Sequence, residues 1–205
     1  MPILQPWDTD PQFSALMAEI SGRTVVDKVR CYMLYQYVRM ASGEADLAEV
    51  GVYKGGTARI IARAAIRGGK LHLFDTFSGM PPCDQKRDMH REGDFADTSL
   101  EAVKSFLSDL QGVEFYPGFF PKTTAMMSRE QKFSFVHIDA DIYRSVMDCC
   151  EFFFPRLLAD GILLFDDYGA ISCPGAKAAV DEYFSRHSHN LLYLPTGQAV
   201  VWKGK

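Results

Sequence analysis

From residue 46 onward the chain alternates short apolar runs with segments of helical spacing. That alternation limits the folds open to it more than any other feature of the sequence. Runs at 47–52, 71–74, 113–116, 133–138 and 161–165 are rich in Leu, Val, Ile and Phe and predict strands buried on both faces. Between them, helical spacing occupies 57–66, 144–158 and 176–186. A further helix carries Val103, Phe106, Leu107 and Leu110 behind the capping-box pair Thr98 and Glu101 and stops at Gly112. Pro121 is placed to open one more. Runs at 190–194 and 198–203 flank Pro195-Thr196-Gly197, a hairpin signal. The fold class is α/β and Rossmann-like: a mostly parallel sheet with helices on both faces and an antiparallel strand added last. Right-handed crossovers then bring the carboxyl ends of the strands to one edge, where ligands bind.

The first 45 residues differ. Phe13, Leu16, Met17 and Ile20 share a helical face that Gly22 ends. A second helix carries Val29, Met33, Tyr37 and Met40, with capping-box spacing if Thr24 is its N-cap, and stops at Gly43. We read residues 1–45 as a helical cover and 46–205 as the catalytic unit of one compact body. Tyr32, Tyr35 and Tyr37 suit either a cover over a substrate or a homo-oligomer contact. The 205 residues are 47% hydrophobic and 23% charged, enough to bury a sizeable core. A net charge of -4 gives no footprint for nucleic acid. No apolar run approaches a membrane span, and the N-terminus lacks the signal-peptide pattern. Five cysteines with no C-x-x-C spacing argue against a disulfide framework or a thiolate zinc finger and for reduced thiols in the cytoplasm. His187 and His189 decorate the end of a helix.

The strand ends carry the chemistry. The first runs into a helix through Glu49, Gly51, Tyr53, Gly55, Gly56 and Thr57. The glycines allow a tight turn, and the helix N-terminus offers free N–H groups. The spacing is not G-x-G-x-x-G, and Glu49 disfavours a phosphate, so a cationic or zwitterionic ligand suits it better. Asp75 ends the second strand, where a carboxylate can accept from both hydroxyls of a ribose or serve as a loop cap. Thr76, Phe77, Gly118, Phe119 and Phe120 supply walls for a purine.

The fourth strand ends in His137-Ile138-Asp139-Ala140-Asp141 and the fifth in Asp166-Asp167-Tyr168-Gly169. Neighbouring strands lie about 4.8 Å apart, so Asp139, Asp166 and Asp167 converge. Unpartnered, they would repel. A hard divalent cation with oxygen ligands, Mg²⁺ by preference, resolves the conflict; pairing with Arg144, Lys177 or helix N-termini is the alternative. His137 either faces an acceptor or packs in the core. Tyr168 either lines the acceptor pocket or closes its turn. Residues 78–97 form a lid or a surface loop.

These residues resemble class I S-adenosylmethionine-dependent methyltransferases, and among them the macrocin O-methyltransferase (TylF-type) family. The resemblance spans about residues 24–203 through E-V-G-V-Y-K-G-G-T, L-F-D-T-F-S-G-M-P, H-I-D-A-D-I-Y, F-P-R-L-L-A-D-G and L-L-F-D-D-Y-G. It implies a seven-stranded sheet with the last strand antiparallel, and S-adenosylmethionine and Mg²⁺ as cofactors. It also implies O-methylation of a small-molecule hydroxyl, on a sugar or another vicinal diol. By position the turn from Glu49 to Thr57 would hold the methionine moiety and Asp75 the ribose. Asp139, Asp166 and Asp167 would bind Mg²⁺, and Asp141 would be the general base. Catechol-type relatives place a lysine where this chain has Ile142, so that base is excluded. Three other readings stay open: a cephalosporin hydroxylase-like cofactor-binding protein without methyl transfer, an NAD-dependent oxidoreductase, and a non-catalytic binding module.

Overall fold

The apolar runs are uniform rather than alternating because both faces of the sheet are covered. In the computed structural model, which describes residues 5–41, 45–65, 69–125, 127–186 and 191–204, adjacent residues of one strand enter opposite layers of the core. Leu73, Phe135 and Leu164 join one apolar layer, while Phe74, Val136 and Leu163 join the other. The strands are β1 (Asp46–Val50), β2 (Leu71–Asp75), β3 (Val113–Pro117), β4 (Phe133–Ile138), β5 (Leu157–Phe165), β6 (Leu191–Tyr193) and β7 (Ala199–Trp202). Their order in the sheet is β3-β2-β1-β4-β5-β7-β6. The pairs among β1 to β5 are parallel, and β7 runs antiparallel to both β5 and β6. The chain steps outward from β1 to β3 and then returns to β4, so a crevice opens beyond the ends of β1 and β4.

Helices α2 (Pro11–Glu19), α3 (Lys28–Met40), α4 (Gly56–Ala64) and α5 (Leu100–Phe106) contribute Phe13, Leu16, Leu34, Ile61 and Val103 to the first layer, against which Trp7 of the short α1 (Pro6–Thr9) packs. Helices α6 (Tyr143–Phe153) and α7 (Pro174–Ser185) contribute Val146, Phe153, Val180 and Phe184 to the second. The tyrosines of α3 fasten these elements together. Tyr32 meets Phe13 edge-on at 4.9 Å between ring centroids, Tyr37 meets Trp202 at 5.6 Å, and Tyr35 is buried.

Several boundaries shift for local reasons. Asp27, not Thr24, caps α3, accepting from the N–H groups of Val29 and Arg30, while Thr24 Oγ1 accepts from Val26 N in a turn of its own. Ser99 rather than Thr98 caps α5, and the Thr98 hydroxyl donates to the Tyr53 carbonyl instead. The helix expected over 144–158 ends at Phe153. A 3₁₀ turn follows at Phe154–Arg156, and β5 has begun by Leu157; Pro155 lacks the N–H that would continue the helix. Pro121 leads only a 3₁₀ turn, Lys122–Thr124. Gly43, residues 66–68, His187, His189 and Asn190, on which some expectations rested, lie outside the described residues.

Candidate active site

The hydrogen-bond ladder continues one residue past the strands and fixes the edge of the crevice. Gly51 N donates to Phe74 O, Asp139 N to Val50 O, and Asp166 N to Ile138 O, all at 2.9–3.0 Å. Gly51 has φ +88, and a Cβ there would lie 1.7 Å from the Asp139 carbonyl oxygen. Only glycine allows the β1 turn to approach the end of β4 so closely. Tyr53, Phe77 and Asp141 also have positive φ, at 50, 53 and 53, so strain collects at the strand ends.

Beyond this edge lies an open cleft of about 900 Å³. It brings together ten of the expected residues: Gly51, Tyr53, Asp75, Thr76, Gly118, Phe119, Phe120, Asp139, Asp141 and Asp167. Asp75 is strongly engaged there. Its Oδ2 accepts from Val52 N at 2.6 Å and Tyr53 N at 3.0 Å, and its Oδ1 from Phe77 N at 2.6 Å. The carboxylate therefore ties the β1 turn to the β2 turn, as expected of a loop cap, while also lining the cleft. Gly55, Gly56, Thr57, Glu49 and Phe77 stand apart from the cleft lining. Gly55 adopts φ +83 and faces Val103 of α5; Gly56 packs on the Arg23 carbonyl. Phe77 turns into the first core layer.

Glu49 is fully buried beneath the cleft. It lies beside His137 in the β1–β4 register, and its Oε1 is 2.9 Å from His137 Nδ1. His137 Nε2 is 3.5 Å from Asp166 Oδ1. Burial opposes a charge on His137, but Asp166 and Glu49 overcome it and raise its pKa to about 9. Fully buried between two carboxylates, His137 answers the earlier question by packing in the core beneath the cleft rather than facing an acceptor. Burial raises the Glu49 carboxyl, and His137 offsets part of that rise.

Asp166 accepts in addition from Gln198 Nε2 at 2.7 Å and from the Arg30 guanidinium. Burial works against its charge, but His137, Arg30 and Gln198 hold its pKa below the usual carboxylate value. The neighbouring acids move the other way. Burial and then the charges of Asp166 and Asp167 raise Asp139; burial and Asp166 raise Asp167; burial and Asp167 raise Asp141 to about 8. The cluster thus carries more carboxylates than its protein cations satisfy, and Asp167 Oδ2 is buried without a partner. An all-oxygen donor set from Asp139, Asp166 and Asp167 fits a hard divalent cation such as Mg²⁺. His137, grouped with Asp139 and Asp166 by ligating atoms within 4.8 Å of one another, has its two ring nitrogens turned to Glu49 and Asp166.

Arg30 is the main contribution that sequence reasoning missed. It also lines the cleft with Val25 and Val26. Its only sequence signal was a cation beside Cys31 and Leu34 on a buried helix face. Tyr168 closes its turn, its hydroxyl donating to Asp181 Oδ1 at 2.7 Å. Residues 78–97 fold back on the cleft: Met80 N donates to Asp94 O, Gly93 N to Met80 O, and Asp88 Oδ1 accepts from Tyr143 N, the first residue of α6, at 2.8 Å.

Comparison with known proteins matches this arrangement. A demethyldecarbamoylnovobiocin O-methyltransferase of Streptomyces niveus is 31% identical over 153 residues, covering 67% of this chain and 57% of its own. An 8-demethyl-8-(2,3-dimethoxy-alpha-L-rhamnosyl)-tetracenomycin-C 4'-O-methyltransferase of Streptomyces olivaceus is 31% identical over 176 residues, covering 77% and 65%. The chain therefore spans less than two thirds of these relatives' length. The structure of the O-methyltransferase NovP superposes with a TM-score of 0.74 at 27% identity, covering 89% of this chain and 83% of that one. Residues 10–202 match the description of one family throughout, and the chain belongs to it: the macrocin-O-methyltransferase (TylF) family.

Proposed function

We propose that the chain is an S-adenosylmethionine- and Mg²⁺-dependent O-methyltransferase acting on a small-molecule hydroxyl, on a sugar or another vicinal diol of a natural product. The observation that carries this reading is the convergence of Asp139, Asp141 and Asp167 on one wall of an apolar cleft, with Asp166 buried beside them, at the topological switch point of a sheet belonging to this family. The names of the two Streptomyces relatives support the acceptor class.

The residues divide the work. The turn from Gly51 to Tyr53, its N–H groups held by the Phe74 carbonyl and by Asp75, would shape the wall against the methionine end of the donor, with Glu49 buried beneath it. With three backbone N–H groups already bound, Asp75 would have about one acceptor site left for a ribose hydroxyl. Thr76, Gly118 and Phe119 wall the adenine. Asp139, Asp166 and Asp167 would hold Mg²⁺, which when bound stabilises negative charge developing on the acceptor oxygen. Asp141 takes the hydroxyl proton. It sits at the centre of a γ-turn in which Ile142 N donates to Ala140 O at 2.5 Å, a strained posture at the edge of the cleft it lines. Val25, Val26 and Arg30 close the acceptor side, so residues 1–45 serve as the cover of a catalytic unit formed by 46–205. Among the described residues no helix is long and apolar enough to cross a membrane, and the five cysteines are unpaired, which suits a reducing cytoplasm.

Calorimetry with S-adenosylmethionine, followed by incubation of the donor, methyl-labelled, with a panel of sugar diols and phenols, tests this reading. Labelled ether product that disappears with EDTA and returns with Mg²⁺ is expected. Failure to bind the donor would overturn it; donor binding with no labelled product across the panel would instead favour the cofactor-binding protein without methyl transfer.

A further inference from the structure

Beside the aspartate cluster lies a second group of ligating atoms of different chemistry. His90 Nε2, Asp141 Oδ1 and Cys173 Sγ lie within 4.8 Å of one another. The separations are 3.4 Å from Cys173 Sγ to Asp141 Oδ1, 3.6 Å from Cys173 Sγ to His90 Nε2, and 3.6 Å from His90 Nε2 to Asp141 Oδ1. A tetrahedral ion held at about 2.0–2.3 Å by N, O and S ligands separates those ligands by about 3.3–3.7 Å. The three atoms therefore already form one face of such a tetrahedron.

We infer that His90, Asp141 and Cys173 form a site for one borderline-soft divalent cation, Zn²⁺ by preference, distinct from the all-oxygen aspartate set. Three further features support it. His90 Nδ1 lies 3.2 Å from Asp94 Oδ2, the carboxylate–imidazole arrangement that fixes the tautomer of a metal-bound histidine. Cys173 occupies the N-cap position of the twelve-residue helix α7, where the helix dipole favours a thiolate. The loop carrying His90 is held in place independently, by the Met80–Asp94 backbone pair and by Asp88 at the start of α6. Gly175 permits that last contact, since a Cβ there would lie 1.9 Å from Asp88 Oδ1.

Without a cation, burial and the charges of Asp167 and Asp141 keep the Cys173 thiol protonated, and its S–H donates to Asp141 Oδ1. When the cation binds, that proton leaves to solvent. Thiolate, carboxylate and neutral imidazole then supply three ligands, and a water from the adjoining hollow beside Ala170 and Ser172 supplies the fourth. Nitrogen and sulfur donors select against Mg²⁺. If Asp141 is the general base of the proposed transfer, a bound Zn²⁺ removes that base and pins the 78–97 loop to α7, so the site is inhibitory. The inhibition rests on that proposed function; the binding does not.

Cobalt titration of the chelator-stripped full chain, with millimolar Mg²⁺ present throughout, separates the two. One equivalent of Co²⁺ is expected to give tetrahedral d–d bands with a thiolate-to-cobalt charge-transfer band, both removed by one equivalent of Zn²⁺. Cys173→Ser should abolish the charge-transfer band, and His90→Gln and Asp94→Asn, both in the loop, should weaken cobalt binding by about tenfold or more. In the transfer assay, the Zn²⁺ concentration needed for half inhibition should rise by a similar factor in His90→Gln. A spectrum without a thiolate band, or one unchanged in both Cys173→Ser and His90→Gln, overturns the site. A correct spectrum with no loss of transfer overturns only the inhibition.

Discussion

Arg30, one turn into α3, is ion-paired with Asp166 at the end of β5, 136 residues further along the chain. The same guanidinium reaches within 3.6 Å of Asp167. A side chain of the N-terminal helices is thus a resident cation of the acidic cluster, and it couples α3 to the cluster electrostatically.

Replacing Arg30 with Met leaves Asp166, whose side chain is fully buried, without one of its cations. Breaking such a pair costs about 2–4 kcal/mol, so the variant should melt about 5–10 °C lower in chelator. Mg²⁺ should recover more of the melting temperature in the variant than in the parent chain. Equal melting temperatures in chelator would remove Arg30 from this role.

Asp141 and Asp166 should separate by what is lost. Asp141→Asn preserves a residue type that tolerates positive φ and should reduce turnover by about 10²–10⁴-fold, with donor binding by calorimetry retained. Asp166→Asn should remove the stimulation by Mg²⁺ while donor binding also remains. Turnover in Asp166→Asn that still responds to EDTA would place the metal elsewhere.

Gly51→Ala should be among the most damaging single changes in the chain. It demands a left-handed backbone of a residue with a Cβ, and that Cβ collides with the Asp139 carbonyl. A loss of several kcal/mol or failure to fold is expected; where protein is recovered, donor affinity should fall. A melting curve indistinguishable from the parent would show that the β1 turn and the end of β4 separate without cost.

Arg59 gives a pH-dependent test far from the cleft. It is buried, donates to the Phe106 carbonyl, and pairs with Asp109 and Glu19. Its hydrogen bonds hold the Asp109 pKa below the ordinary carboxylate value. A depressed carboxylate pKa stabilises the fold above its unfolded value, about 3.9, and that stability is lost as pH falls through the folded value. The difference in melting temperature between the parent and Arg59→Met should therefore be level above about pH 5 and narrow below about pH 4. A gap that widens on acidification would contradict the pairing.

The strand ends were legible because a parallel sheet leaves no choice about where they lie. Once 133–138 and 161–165 are neighbouring strands, Asp139 and Asp166 must meet. Which way a side chain faces is a different question. Glu49 and Val50 differ by one residue, and only the pairing of β1 with β4 shows that Glu49 points beneath the cleft to His137 while Val50 lines it. Phe77 was misjudged in the same way, because its positive φ turns it back into the core. Arg30 was invisible for a third reason. Periodicity reports apolar faces, and a lone cation on one carries no hint of a partner beyond its own helix. The boundary of β5 was hidden by Phe152-Phe153-Phe154, which suits a helix or a strand equally until Pro155 decides.

The position of β7 sets an order of events during synthesis. It lies between β5 and β6, and Gln198, just before it, donates to Asp166. A nascent chain that has emerged only through α7 therefore exposes β5 as an open sheet edge, with one hydrogen-bond donor of the acidic cluster still inside the ribosome. Docking of β7 therefore does two things at once: it covers the exposed edge of β5 and brings Gln198 to the acidic cluster.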